Sequence, residues 1–87
     1  MSLLDFRDVG SLAQRFEALV DRSGDHHRWT GAVDADDTPQ IRVDGHLTTA
    51  RRVAWQLTHG PIPSGARIAA CPDDPRCVRA EHLHLGL

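Results

Sequence analysis

Lysine and tyrosine are absent from this chain of 87 residues, and its aromatic side chains come to two tryptophans and two phenylalanines. Every permanently cationic side chain is therefore an arginine, whose planar guanidinium can hold phosphate or a guanine edge with two parallel bonds. No apolar run approaches the roughly 20 residues needed to cross a bilayer, which excludes a membrane-spanning helix. Nothing in it resembles a signal peptide, so a reducing, cytoplasmic setting is expected, in which disulfides do not persist. Cysteine is scarce too, with two residues. What is present suits one small soluble domain: 40% of the residues are hydrophobic and 25% charged. A chain this short has a limited core and commonly gains stability from a metal or from disulfides.

Charge of either sign is not dominant. The formal net charge is -2, but residues 1–37 carry four arginines against eight acids and residues 38–87 six arginines against four. The acidic first part is expected to face away from any nucleic acid, leaving the arginines of the second part to supply a modest basic surface.

Both cysteines and two of the six histidines fall between Ala70 and His84. Cys71 and Cys77 bracket Pro72-Asp73-Asp74-Pro75-Arg76, whose prolines restrict φ and lower the entropy of bringing two sulfurs together. His82 follows within Val78–Leu83, a stretch able to form a short helix. Thiolates and an imidazole so spaced suit a tetrahedral zinc ion, which needs one further ligand, and the pair His26-His27 can supply it. The competing reading is a small disulfide between the cysteines, with His82 an ordinary surface histidine.

Along the chain, residues 1–22 read as a helix with a lead-in. Ser11 and Gln14 have capping-box spacing, and Leu12, Phe16, Leu19 and Val20 recur on one face. Core packing is the expected role of that face, with a partner-binding or dimerisation helix as the alternative; Leu3, Leu4 and Phe6 add apolar surface. Ser23-Gly24-Asp25 breaks the helix, and His26–Ala32 reads as a strand entry with Trp29 as a core anchor. Asp34-Ala35-Asp36-Asp37 lacks the glycine and downstream glutamate of an EF-hand and reads as a solvated turn. Pro39–Val43 alternates as a strand before Asp44-Gly45, a favoured hairpin turn. A two-residue turn there would pair Val43 with His46 and Arg42 with Leu47, so a longer turn or an irregular register is expected. Thr49 caps a helix to about His59, with Ala50, Val53, Ala54 and Leu57 inward, Arg51 and Arg52 exposed in its first turn, and Gly60-Pro61 ending it. Pro61, Pro63 and Gly65 then lead to a strand at Ala66–Ala70, which delivers Cys71.

The run Ala70-Cys71-Pro72-Asp73-Asp74-Pro75-Arg76-Cys77-Val78-Arg79-Ala80-Glu81-His82-Leu83-His84-Leu85-Gly86 resembles the C-terminal pattern of phage and bacterial HNH endonucleases, related to the His-Cys box. Three upstream landmarks occur in the family's order: His26-His27-Arg28-Trp29-Thr30-Gly31-Ala32, then Ala50-Arg51-Arg52-Val53-Ala54-Trp55, then Gly60-Pro61-Ile62-Pro63. The resemblance covers residues 26 to 86. It implies structural zinc ligands at Cys71, Cys77 and His82, with His26 where the family has a cysteine. It also implies a general-base histidine two residues before the first cysteine and an asparagine two residues after the second. This chain departs at both places. Ala69 or Ala70 stands at the base position, since the inter-cysteine loop is one residue longer, and Arg79 stands for the asparagine. Alanine can neither accept a proton nor bind a metal. Arg51 likewise replaces the histidine of the family's Ala-His-Arg element.

The expected architecture is thus α+β: a small zinc-stabilised ββα-metal, treble-clef domain over 24–87, with a β-hairpin, and the helix of 1–23 packed on it. The expected function is nucleic-acid binding, on duplex DNA, without catalysis, through Arg42, Arg51, Arg52, Arg76 and Arg79. Two alternatives stand beside it. One is a metal-dependent nuclease whose base is a displaced His46 or His84 beside Asp73 or Asp74. The other is a zinc-stabilised protein-interaction module using the N-terminal helix.

Overall fold

Helical spacing of Leu12, Phe16 and Leu19 is realised in helix α1, residues 12–18, at the start of the part that the computed structural model describes, residues 12–86. Ser11 of the capping-box pattern, and Leu3, Leu4 and Phe6, lie outside the described residues. Phe16 is buried, with Leu12 and Leu19 packed against the same core. The apolar face of α1 is therefore turned inward.

The helix does not run to residue 22. Leu19 N–H donates to Phe16 O at 3.0 Å in a tight final turn, and the chain then extends as β1 (Val20–Asp21) antiparallel to β2 (Arg28–Trp29). Pairing with β2 supplies the hydrogen bonds that another helical turn would have made, and β-branched Val20 suits the extended form. Thr30 N–H and Oγ1 both donate to Leu19 O, at 2.7 and 3.0 Å, and lock the corner.

Trp29 is the centre of the core, 2% exposed, with its ring 5.5 Å from that of Phe16. Ile41, Val53, Val78 and Leu83 complete it. The indole N–H donates to Ala32 O at 3.0 Å, so the ring lies flat along residues 30–32. Gly31 is required there by space, since a Cβ at this position would fall 2.9 Å from Trp29 Nε1.

Asp34 shapes the next turn. Its Oδ1 accepts from Asp36 N–H at 2.8 Å and Thr38 N–H at 2.9 Å, and its Oδ2 accepts from Gln40 Nε2 at 3.2 Å. Donation first from the Thr38 amide, then from that of Asp36, holds this carboxyl below its ordinary pKa. The expected solvated turn is what forms.

Strands β3 (Gln40–Val43) and β4 (His46–Thr49) pair with Val43 opposite His46 and Arg42 opposite Leu47. The expectation of a longer or irregular turn is overturned. Asp44 and Gly45 take φ of 51° and 81°, the two left-handed positions of a type I′ turn, whose twist matches that of the strands. Unlike residues can share a face because the outer ribbon stands clear of the core: Ile41 is 5% exposed, whereas Leu47 is 61% exposed.

Helix α2 (Ala50–His59) begins where Thr49 Oγ1 accepts from Arg52 N–H at 3.4 Å, and ends at Gly60, φ 90°, whose N–H donates to Gln56 O at 2.9 Å. Ala50, Val53 and Ala54 face the core, but Leu57 does not. It is 38% exposed and lines a shallow cleft with Phe16, Glu17 and His27, because the last turn of α2 overhangs the end of the core. After the proline link, β5 (Arg67–Ala69) pairs antiparallel with β6 (His84–Gly86), with Ala69 opposite His84. A single 3₁₀ turn, Ala80–His82, lies between the second cysteine and β6. Among the described residues no helix is long and apolar enough to cross a membrane.

Two outcomes follow from this packing. Gly31→Ala is expected to lower unfolding stability by about 1–3 kcal/mol through overpacking against the indole, read from denaturant titration with Trp29 fluorescence shifting as the ring is displaced. Asp34→Ala is expected to lower the melting temperature at pH 7. A carboxyl with a depressed folded-state pKa stabilises above its unfolded pKa and ceases to as pH falls through the folded one. The deficit against the parent should therefore shrink in melts run toward pH 3.

Candidate metal centre

Three short backbone links bring the ligand-bearing segments together. Trp29 N–H donates to Arg76 O and Val78 N–H to His27 O, both at 2.8 Å, so that Arg28 bridges Cys77 as a third, one-residue strand beside β2. This sets His26 against Cys77. The 71–77 loop is shaped from within by Asp74, whose Oδ1 accepts from Arg76 N–H at 3.0 Å and whose Oδ2 accepts from Arg28 Nε at 2.8 Å. Cys77 N–H closes the loop onto Asp74 O at 3.0 Å. The β5–β6 ladder then ties the strand entering Cys71 to the strand leaving His82.

The result is a cluster in which one donor atom from each of His26, Cys71, Cys77 and His82 lies within 4.8 Å of the others. Cys71 Sγ is 3.6 Å from His26 Nδ1 and 4.0 Å from His82 Nδ1, and Cys77 Sγ is 3.4 Å from His82 Nδ1. Both cysteines are free and buried. The imidazoles meet edge to face, 5.1 Å apart. Burial first pushes the Cys77 thiol pKa up, against the opposing pull of the Arg79 and His27 backbone amides that point at the sulfur. Two sulfurs and two ring nitrogens in a mostly enclosed space form a donor set that could hold a metal ion. His27 faces elsewhere: its Nδ1 lies 3.0 Å from Arg22 Nη1, and burial lowers its pKa with Arg22 assisting.

A family model described as HNH endonuclease matches residues 49–86. The chain belongs to the HNH family. A relative, "Protein 7.7" of Escherichia phage T7, is 38% identical over 58 residues, which make up 67% of this chain and 45% of the relative. This chain thus spans less than half of that protein's length. No solved structure matches the chain.

In this HNH chain the residues at the expected catalytic positions are turned to other uses. Ala69 sits on β5 opposite His84, and half-buried Ala70 follows it. Arg79 donates to Asp25 O at 2.8 Å and pairs with the carboxylates of Asp25 and Glu81, each at 3.2 Å. Arg51 is half-buried, with its Nε enclosed and without a hydrogen-bond partner. Arg52, also half-buried, reaches Ala66 O at 3.5 Å. The expected exposure of Arg51 and Arg52 is corrected: both are half-buried at the start of a helix that packs against β4 and β5.

Of the other arginines singled out by sequence, Arg76 pairs with Asp37 at 3.1 Å, while exposed Arg42 curls onto Gly45 O at 3.2 Å at the hairpin tip. Arg28 and Arg22 are bound to Asp74 and Glu17. Among the described residues, Arg15, Arg42, Arg51, Arg52 and Arg67 have no carboxylate partner, and Arg15 donates to Arg42 O. Arg67 is exposed on β5 and is not legible from sequence, because a lone arginine in a short strand carries no local signal.

The geometry separates two neighbouring histidines. Metal titration of purified protein is expected to saturate at one divalent ion per chain, with His26→Ala losing tight binding and His27→Ala keeping it, as measured by elemental analysis after dialysis.

Proposed function

We propose that this protein is a zinc-stabilised, non-cleaving DNA-binding domain on an HNH scaffold of treble-clef type. The observation that carries the reading is the pairing of a complete His₂Cys₂ donor set with alanine at both possible base positions. Four protein donors saturate a tetrahedral ion, and such closed centres hold structure rather than activate water. When bound, zinc would join the 26–29 segment, the cysteine loop and the 3₁₀ turn. Structural zinc contributes about 10–16 kcal/mol of apparent binding free energy, more than so small a core replaces. The disulfide alternative gives no reason for two imidazole nitrogens to face the sulfurs.

Duplex DNA is the partner that the surface supports. Arg22 and Arg28 of the acidic part are held in ion pairs, whereas Arg42, Arg51, Arg52 and Arg67 remain on the hairpin, the start of α2 and the adjoining β5. Arg76 and Arg79 are committed to carboxylates and drop out of the contact set. Three or four phosphate contacts imply a shallow dependence of log affinity on log salt, near a slope of about -3.

A second reading has one observation in its favour. His84 stands opposite Ala69, and residues directly paired across an antiparallel ladder have Cβ atoms about 5 Å apart, so an imidazole lies beside the place of the missing base. His46, by contrast, is exposed at the far hairpin, and Asp74 is occupied by Arg28.

An electrophoretic shift series on zinc-loaded protein, with and without magnesium or manganese, tests both readings. Retarded duplex without nicking is expected. Arg51→Ala with Arg52→Ala should weaken binding and flatten the salt slope by about two units with zinc content unchanged. No shift at low salt would sink DNA binding, and nicking abolished by His84→Ala would establish the displaced base instead.

A further inference from the structure

Beyond the backbone bonds already described, the segments that carry the two histidines are joined by side chains outside the ligand cluster. Asp25 immediately precedes His26, and Arg79 precedes the 3₁₀ turn that ends in His82. Arg79 Nη1 donates to Asp25 O at 2.8 Å and to Asp25 Oδ1 at 3.2 Å, while its Nε donates to Glu81 Oε1 at 3.2 Å. The other oxygen of Asp25, Oδ2, lies 3.7 Å from His82 Nε2. That nitrogen is the one turned away from the sulfurs, since Nδ1 of the same ring faces Cys77 and Cys71. One carboxylate therefore spans a guanidinium and the outer edge of a ligand imidazole.

We infer that Asp25 and Arg79 are positioning residues for the metal centre, forming a clasp that sets the ring plane and tautomer of His82. The inference rests on the metal reading of the preceding section. A histidine that ligates through Nδ1 must keep its proton on Nε2, and a carboxylate facing that edge favours this tautomer and restrains rotation of the ring. Asp25 is 78% exposed in its side chain and by itself would turn to water; the less exposed Arg79, at 28%, holds it in place by charge-assisted bonds to both its backbone and side-chain oxygens. Glu81 fixes the remaining side of the guanidinium. The arginine that stands at the asparagine position of the resemblance has thus become part of the support of the centre, with its donors engaged by Asp25 and Glu81.

The test is transfer of zinc from the loaded full chain to a chromophoric chelator, following both release rate and competition affinity. Asp25→Asn keeps an oxygen for Arg79 but removes the charge facing His82. It is expected to weaken zinc binding roughly 10–100-fold, as loss of such outer partners does elsewhere. Asp25→Glu should recover part of the loss, and Arg79→Gln should weaken binding in the same direction while leaving the salt slope of DNA binding unchanged. Far-ultraviolet circular dichroism of each loaded variant separates these effects from unfolding. Parental release rates and affinity in both Asp25→Asn and Arg79→Gln would overturn the clasp, even if their melting temperatures fell. A salt slope reduced by about one unit in Arg79→Gln would return Arg79 to the phosphate contacts and overturn it as well. Parent protein that retains no zinc would instead overturn the metal reading itself, and the inference with it.

Discussion

Bringing two buried thiols and two imidazoles within 4.8 Å of one another is the demand that the other contacts of this small protein serve. The donors come from three separate stretches: the entry to β2, the ends of the 71–77 loop, and the turn before β6. Each stretch is held by only one or two backbone bonds, such as Trp29 to Arg76 and Val78 to His27. Without a cation, burial opposes ionisation of Cys77, and the cluster is a set of polar groups shielded from water. A cation bound to the thiolates reverses that balance and turns the same enclosure into a cross-link.

Charge is distributed with the same economy. In this formally acidic chain three arginines are paired with carboxylates, Arg22 with nearby Glu17, and Arg28 with Asp74 and Arg76 with Asp37 across the fold. These pairs are largely exposed and individually contribute little stability. On the DNA-binding reading proposed above, they would also cancel acidic groups that repel a phosphate backbone. Arg79 differs, because its partners are the two segments that carry the ligand histidines.

The HNH relationship and the proposed absence of cleavage are compatible because scaffold and chemistry make different demands. The scaffold needs Trp29 over Gly31, the caps of α2 and the four donors, and all are present. The resemblance places the water-activating base at the end of the strand that enters Cys71, where this chain has Ala69. His84 stands directly across the ladder from Ala69, so an imidazole lies beside that position.

Local chemistry decided what could be read from residues alone. Thr49 and Gly60 bound α2, Asp44-Gly45 makes the turn, and the cysteine and histidine spacing marks the donor cluster, because each signal acts over a few neighbouring residues. Four ordered landmarks made the family legible as well. Tertiary pairing decided the rest. Helix α1 stops at residue 18 because β2 offers Val20 a partner, and the hairpin keeps its two-residue turn because its outer half carries no core. The half-burial of Arg51 and Arg52, the place of Arg67 and the bond from Arg79 to Asp25, 54 residues apart, depend on which distant segments meet. No periodicity or cap encodes such meetings: they arise when separate short elements close around one core and one set of donors.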